Sequence, residues 1–102
     1  MRVVFSSVFK RDLLEAETRY SAISPKLGDD FHERVKEAVR TIISRKGGDH
    51  VGPHGFPCRK CRPFPYLICY ELSDEALYVL GLVQERRHPD YLKKALREKT
   101  DE

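Results

Sequence analysis

Two clusters of side chains in this chain could do chemistry. Arg59-Lys60-Cys61-Arg62 puts three cations into four positions, and Arg86-Arg87-His88-Pro89 follows two apolar runs later. Guanidinium and ammonium groups gathered in this way suit an anionic partner, either an RNA backbone or a carboxylate-rich protein segment. Lysine and arginine on an edge strand also discourage sheet-to-sheet aggregation, so each cation has a plain structural use as well. A third group, His50, His54, Cys58 and Cys61, offers four competent zinc ligands within twelve residues. Three features weigh against zinc: no second C-x-x-C follows, the spacing is compressed, and strand alternation would turn Cys58 and Cys61 to opposite sides. No metal and no other cofactor is expected. Cys69 reads as a small buried apolar residue, and His88 as a cap or surface group rather than a proton-transfer group.

The elements that must position these residues follow from pattern. Arg2 to Ser6 is a β-branched and aromatic run, which predicts a first strand. Ser7 offers a cap, after which Phe9, Leu13, Ala16, Tyr20 and Ile23 recur at helical spacing, with Arg11, Asp12, Glu15 and Arg19 toward water; this predicts a helix over 8–23. Ser24-Pro25 then breaks one helix and caps the next. Leu27, Phe31, Val35, Ala38 and Ile42 form a second stripe over 25–46, closed by Arg45-Lys46-Gly47-Gly48. Two amphipathic helices with so short a link must fold back as a hairpin.

Residues 47–57 are punctuated by glycine and proline and predict a loop. Cys58 to Arg62 is a short strand candidate, and Tyr66 to Leu72 alternates with Tyr66, Ile68 and Tyr70 on one face. Ser73-Asp74-Glu75 turns the chain into Ala76 to Val83, which is apolar at nearly every position, as suits a central strand covered on both faces. Tyr66, Tyr70 and Tyr78 read as core aromatics rather than a base-stacking platform. From His88-Pro89-Asp90 a short final helix is expected, with Tyr91, Leu92 and Ala95 packing back. The predicted class is α+β: an N-terminal strand, an antiparallel helical hairpin, a mainly antiparallel three-strand meander and a short C-terminal helix, all within one domain over 1–102.

Composition bounds the partner. The chain has 102 residues, 40% apolar and 34% charged, enough for one self-sufficient core and too apolar for disorder. Its 19 Lys plus Arg against 16 Asp plus Glu leave a net charge of only +3, so the basic signal is local, not global. No signal peptide or membrane-length run is visible, and three cysteines do not make a disulfide framework, which together predict a cytoplasmic protein with no membrane partner.

Taken in order, Asp12-Leu13, Tyr20, Pro25, Phe31, Arg62, Phe64-Pro65-Tyr66, Ile68, Tyr70 and Arg86-Arg87-His88-Pro89 resemble the RelE/ParE toxins of bacterial type II toxin-antitoxin (plasmid stabilisation) modules, over about residues 3–92. The resemblance implies one of two activities. RelE-like members cleave mRNA on the ribosome with basic side chains and a tyrosine; here Lys60, Arg62, Arg86 and Tyr91 would fill those roles. ParE-like members poison DNA gyrase by binding it. Ribonucleolytic relatives carry an arginine directly after the strand tyrosine, where this chain has Leu67, and their catalytic tyrosine falls on Leu92, with Tyr91 one residue early. One residue on a helix is about 100° of rotation. The resemblance therefore favours the ParE-like branch: a gyrase inhibitor, not an enzyme, neutralised by a ParD-like antitoxin through Arg59, Arg62, Arg86 and Arg87. A toxin-fold adaptor without toxicity is a third reading.

Overall fold

The computed structural model describes residues 1–52 and 55–85. It is an α+β fold of two helices on a four-stranded mixed sheet. Strand β1 (Arg2–Phe5) leads into helices α1 (Ser7–Ile23) and α2 (Pro25–Ser44), and strands β2 (Cys58–Lys60), β3 (Tyr66–Leu72) and β4 (Ala76–Gln84) follow. The sheet order is β1-β4-β3-β2. The last three strands pair antiparallel in sequence, whereas β1 adds to β4 in parallel, with Arg2 opposite Ala76 and Phe5 opposite Val79. The expected C-terminal helix and the residues Arg86, Arg87, His88, Tyr91 and Leu92 lie outside the described residues, as does His54. No helix among the described residues is long and apolar enough to cross a membrane.

Capping fixes where the helices begin. The cap of α1 is Ser6 rather than Ser7: its hydroxyl oxygen accepts from the Phe9 amide at 2.9 Å and donates to the Leu80 carbonyl at 2.9 Å, so one side chain both starts the helix and ties it to β4. Ser24 ends α1 through its amide, which donates to the Tyr20 carbonyl, and starts α2 through its hydroxyl, which accepts from the Leu27 amide. With Pro25 in the first turn, where an amide hydrogen would go unused, the hairpin needs a single connecting residue. Helix α2 stops at Ser44, two residues short of the expectation. Gly47 donates to the Ile42 carbonyl and Lys46 to that of Ile43, a Schellman closure, and the residue with positive φ just past the cap is Lys46 (54°) rather than the first glycine.

One face of the sheet carries the main core. Phe9 and Ala16 of α1 and Phe31, Val35, Ala38 and Ile42 of α2 bury against Tyr66, Ile68, Tyr70, Leu77, Val79 and Leu82. Tyr20, Phe31, Phe64 and Tyr66 meet as a ring cluster with centroids 4.9–6.3 Å apart, tilted or edge-to-face. A bulge in β4 shifts the register so that Cys69 faces Gly81 but Tyr70 faces Val79. The side chains of β4 thus change parity at Leu80, putting Leu77 and Val79, then Leu82 and Gln84, on the helix side. Tyr78 is consequently on the outer face and 36% exposed, not a core aromatic. Ile23, expected on the buried stripe of α1, is 74% exposed, since the chain turns into α2 immediately after it.

The hairpin crossing is close at Gly28, where a Cβ would lie 2.0 Å from Ser21 Oγ and 3.2 Å from the Ser21 Cα. Alanine favours a helix interior by about 1 kcal/mol over glycine, but overpacking against backbone costs about 1–3 kcal/mol. The Gly28→Ala variant should therefore unfold at lower urea concentration than the parent, by about 1 kcal/mol; a gain in stability would show that the two helices do not meet there.

Candidate functional site

A groove of about 580 Å³ runs between α2 and the edge strand β2. Arg34, Glu37, Thr41 and Arg45 line one wall; they recur every three or four residues, so they share one helix face beside the buried stripe of Val35, Ala38 and Ile42. Asp49 and His50 form one end, and Cys58 to Arg62 make the opposite wall. The lining holds five Lys or Arg residues against Glu37 and Asp49.

These cations are not equivalent. Arg59 Nη1 lies 3.1 Å from Asp49 Oδ1, with both side chains largely buried, and Tyr70 donates its hydroxyl to Asp49 Oδ2 at 2.6 Å. Asp49 thus joins the loop, β2 and β3 through two carboxylate oxygens. Burial, and then the hydrogen bond to Asp49, hold the Tyr70 hydroxyl well above the usual phenol range. Arg59 borders the groove but directs its charge inward. Arg34 pairs with Glu37 at 3.4 Å on the surface of α2, an exposed contact worth little. Arg62 is exposed, its Nη2 4.0 Å from Glu85 Oε2. Lys60 and Arg45 make no ion pair among the described residues, and both are exposed. Lys60 stands opposite Leu67 and so shares the outer face with Cys58, its backbone alone bordering the groove; the charge available to a ligand there rests on Arg45 at the helix wall and Arg62 at the strand wall.

Of the residues marked out by sequence, Arg59, Lys60 and Arg62 come together at this groove, and His50 joins them; Arg86, Arg87 and Tyr91 lie outside the described residues. The two cysteines of the C-x-x-C part company. Cys61 is buried in the main core beside Phe64 and Tyr66, while Cys58 belongs to a small cluster on the outer face with Phe56, Leu67, Cys69 and Val83. Leu67 is therefore an apolar packing residue of that outer cluster.

Sequence reading passed over Arg34, Arg45 and Asp49. The phase of α2 already puts the first two beside the apolar stripe, but nothing local says that β2 lies across from them. Asp49 sits in a run whose glycines signalled only a loop. Arg19, expected to face water, reaches back so that its Nη2 donates to the Tyr66 hydroxyl oxygen at 2.6 Å, and Gln84 Nε2 donates to the same oxygen at 3.2 Å. Beside them the Tyr20 hydroxyl is also pushed up, by burial and the neighbouring Tyr66, with Arg19 opposing. This corner, where β4 ends, is a structural lock on the ring cluster.

No family model matches the chain, and no curated protein matches it significantly.

Two outcomes follow from this electrostatic arrangement. Asp49→Ala strands the Arg59 guanidinium and the Tyr70 hydroxyl in a half-dry site, and should cost about 2–4 kcal/mol in chemical denaturation, with Asp49→Asn costing less because its amide oxygen still accepts from Tyr70. Cys61 gives a pH signature. Burial, assisted by Glu85, pushes its thiol from 9.0 up to about 12. Above pH 9 the unfolded chain releases this proton while the folded one keeps it, so the contribution is constant at lower pH and is lost as pH rises toward 12. Stability should fall from pH 9 to 11, and Cys61→Ala should make that fall shallower by up to about 1.4 kcal/mol per pH unit; identical slopes would exclude Cys61 as a source.

Proposed function

We propose that the chain is the toxin component of a type II toxin-antitoxin module, of the ParE-like branch of the RelE/ParE family, acting on DNA gyrase by binding and held inactive by a ParD-like antitoxin. The groove between α2 and β2 carries this reading. It is open and carries a cation on each wall, and it borders an edge strand, so an extended acidic segment could lie along it with its carboxylates near Arg45 and Arg62. A segment that is disordered until bound would order on this surface at a cost met by apolar contacts and charge pairing. The order of elements, with a helical hairpin followed by three antiparallel strands, is compatible with the family expected from the motifs.

The choice of branch rests on Leu67. Phosphoryl transfer between ribose and phosphate needs cations aimed at the developing charge. Leu67 is packed with Phe56, Cys58 and Cys69, so no cation is supplied from that position. Arg59 is likewise engaged with Asp49. A protein-recognition role makes fewer demands on the placement of single charges, and exposed Arg45 and Arg62 meet them.

Induction of the chain alone in a bacterial host should produce DNA-damage signalling and filamentation, and co-expression of the short acidic protein encoded beside it should restore growth. An immediate stop in translation with mRNA cut at fixed codon positions would replace the gyrase reading by the endonuclease one, and normal growth would favour the adaptor. In the same assay, Arg45→Glu with Arg62→Glu should weaken capture of that acidic protein at least tenfold, about 1.4 kcal/mol, with a flatter salt dependence.

A further inference from the structure

The outer face of the sheet brings two thiols together that the basic groove does not use. Cys58 and Cys69 are register partners across β2 and β3, and their sulfurs lie 3.3 Å apart. The ladder bonds around them define the kind of pair. Tyr70 donates to the Pro57 carbonyl and Cys61 to the Tyr66 carbonyl, so residues 57 and 70, and 61 and 66, are bonded partners, while the Cys58 amide turns away to the His50 carbonyl. Cys58 and Cys69 thus occupy a non-hydrogen-bonded pair, where Cα atoms approach to about 4.5 Å and side chains are closest. That separation falls inside the range of roughly 4.4–6.8 Å that a disulfide spans.

We propose that Cys58 and Cys69 are an oxidisable dithiol site, converted by hydroperoxides into a cross-strand disulfide that fastens the edge strand β2 to β3. The exposures assign the roles. Cys58 is half-buried at the rim of the groove, whereas Cys69 is 0% exposed and cannot meet an oxidant first. The Cys58 thiolate attacks the peroxide; the O–O bond breaks, an alcohol or water leaves, and Cys58 carries a sulfenic acid. Cys69 then attacks the Cys58 sulfur, and the S–O bond breaks with loss of water. Two thiols and one hydroperoxide give one disulfide, one alcohol and one water, the thiol pair supplying both electrons.

Cys61 does not compete. It lies on the other face of β2, buried in the main core, and its thiol is held protonated by burial and by Glu85. The disulfide would close a short loop around Pro63 and Pro65 and hold β2 against β3, so oxidation stiffens the groove's strand wall without touching its cations. The site stands on geometry alone and holds whichever partner the groove takes.

Hydrogen peroxide applied to the full chain, followed by alkylation in denaturant and peptide mapping, tests it. The expected product is a monomer 2 Da lighter before alkylation, with Cys58 then found joined to Cys69 and Cys61 alkylated, and a melting temperature raised by at least about 4 °C that returns to its starting value with dithiothreitol. Cys61→Ala should give the same loss of 2 Da, and Cys69→Ala should stop Cys58 at a sulfinic acid. A bond that includes Cys61, a disulfide-linked dimer, or sulfinic Cys58 with Cys69 still a thiol in the parent protein would overturn the proposal. A lowered melting temperature of the oxidised form would overturn the fastening role.

Discussion

Four aromatic rings set the frame on which everything else rests. Tyr20 comes from α1, Phe31 from α2, Phe64 from the turn before β3 and Tyr66 from β3 itself, so one cluster fixes both helices and the sheet against each other. Edge-to-face pairs add about 0.5–1.5 kcal/mol each beyond the area they bury, and they hold only a narrow set of angles. The groove is a by-product of that seating. Once Phe31 is pinned, the face of α2 bearing Arg34, Thr41 and Arg45 must stand across from β2. Arg19 and Gln84 close the cluster's polar end by donating to the Tyr66 hydroxyl oxygen.

Charge in this protein is sorted by strand parity. Successive residues of β2 point to opposite sides, which sends Arg59 inward to Asp49 and leaves Lys60 outward. A run that looks uniformly basic is thus divided into one structural cation and its exposed neighbours. The same alternation separates Cys58 from Cys61 and pairs Cys58 with Cys69. A second family of contacts links the helices at the surface, where Glu17 of α1 meets His32 of α2, but exposed pairs of this type add little next to the ring cluster.

The parts legible in the sequence are those fixed by local periodicity. The stripe of Phe31, Val35, Ala38 and Ile42, the Ser24-Pro25 junction and the alternation of Tyr66, Ile68 and Tyr70 all depend on near neighbours, and all stand in the fold as read. The misreadings have tertiary causes. Tyr78 looked like a third core tyrosine until the bulge at Leu80 changed the parity of β4. Ser6 took the cap from Ser7 because it could also reach β4. Asp49 was invisible because its partners, Arg59 and Tyr70, are 10 and 21 residues away and become neighbours only when the sheet forms. The groove needs the relative placement of α2 and β2, which no window of sequence contains.

The parallel pairing of β1 with β4 has a consequence for synthesis. Arg2 finds its partner at Ala76, and Ser6 its carbonyl at Leu80, 74 residues downstream. A ribosome delivers β1 well before β4. The helical hairpin can close on local contacts while the chain is still growing, but the sheet lacks the strand that joins β1 to β3 until β4 clears the exit tunnel. A nascent chain of this protein therefore carries its helices well before it carries a finished sheet, and a fragment ending before Ala76 leaves its first strand with no ladder to join.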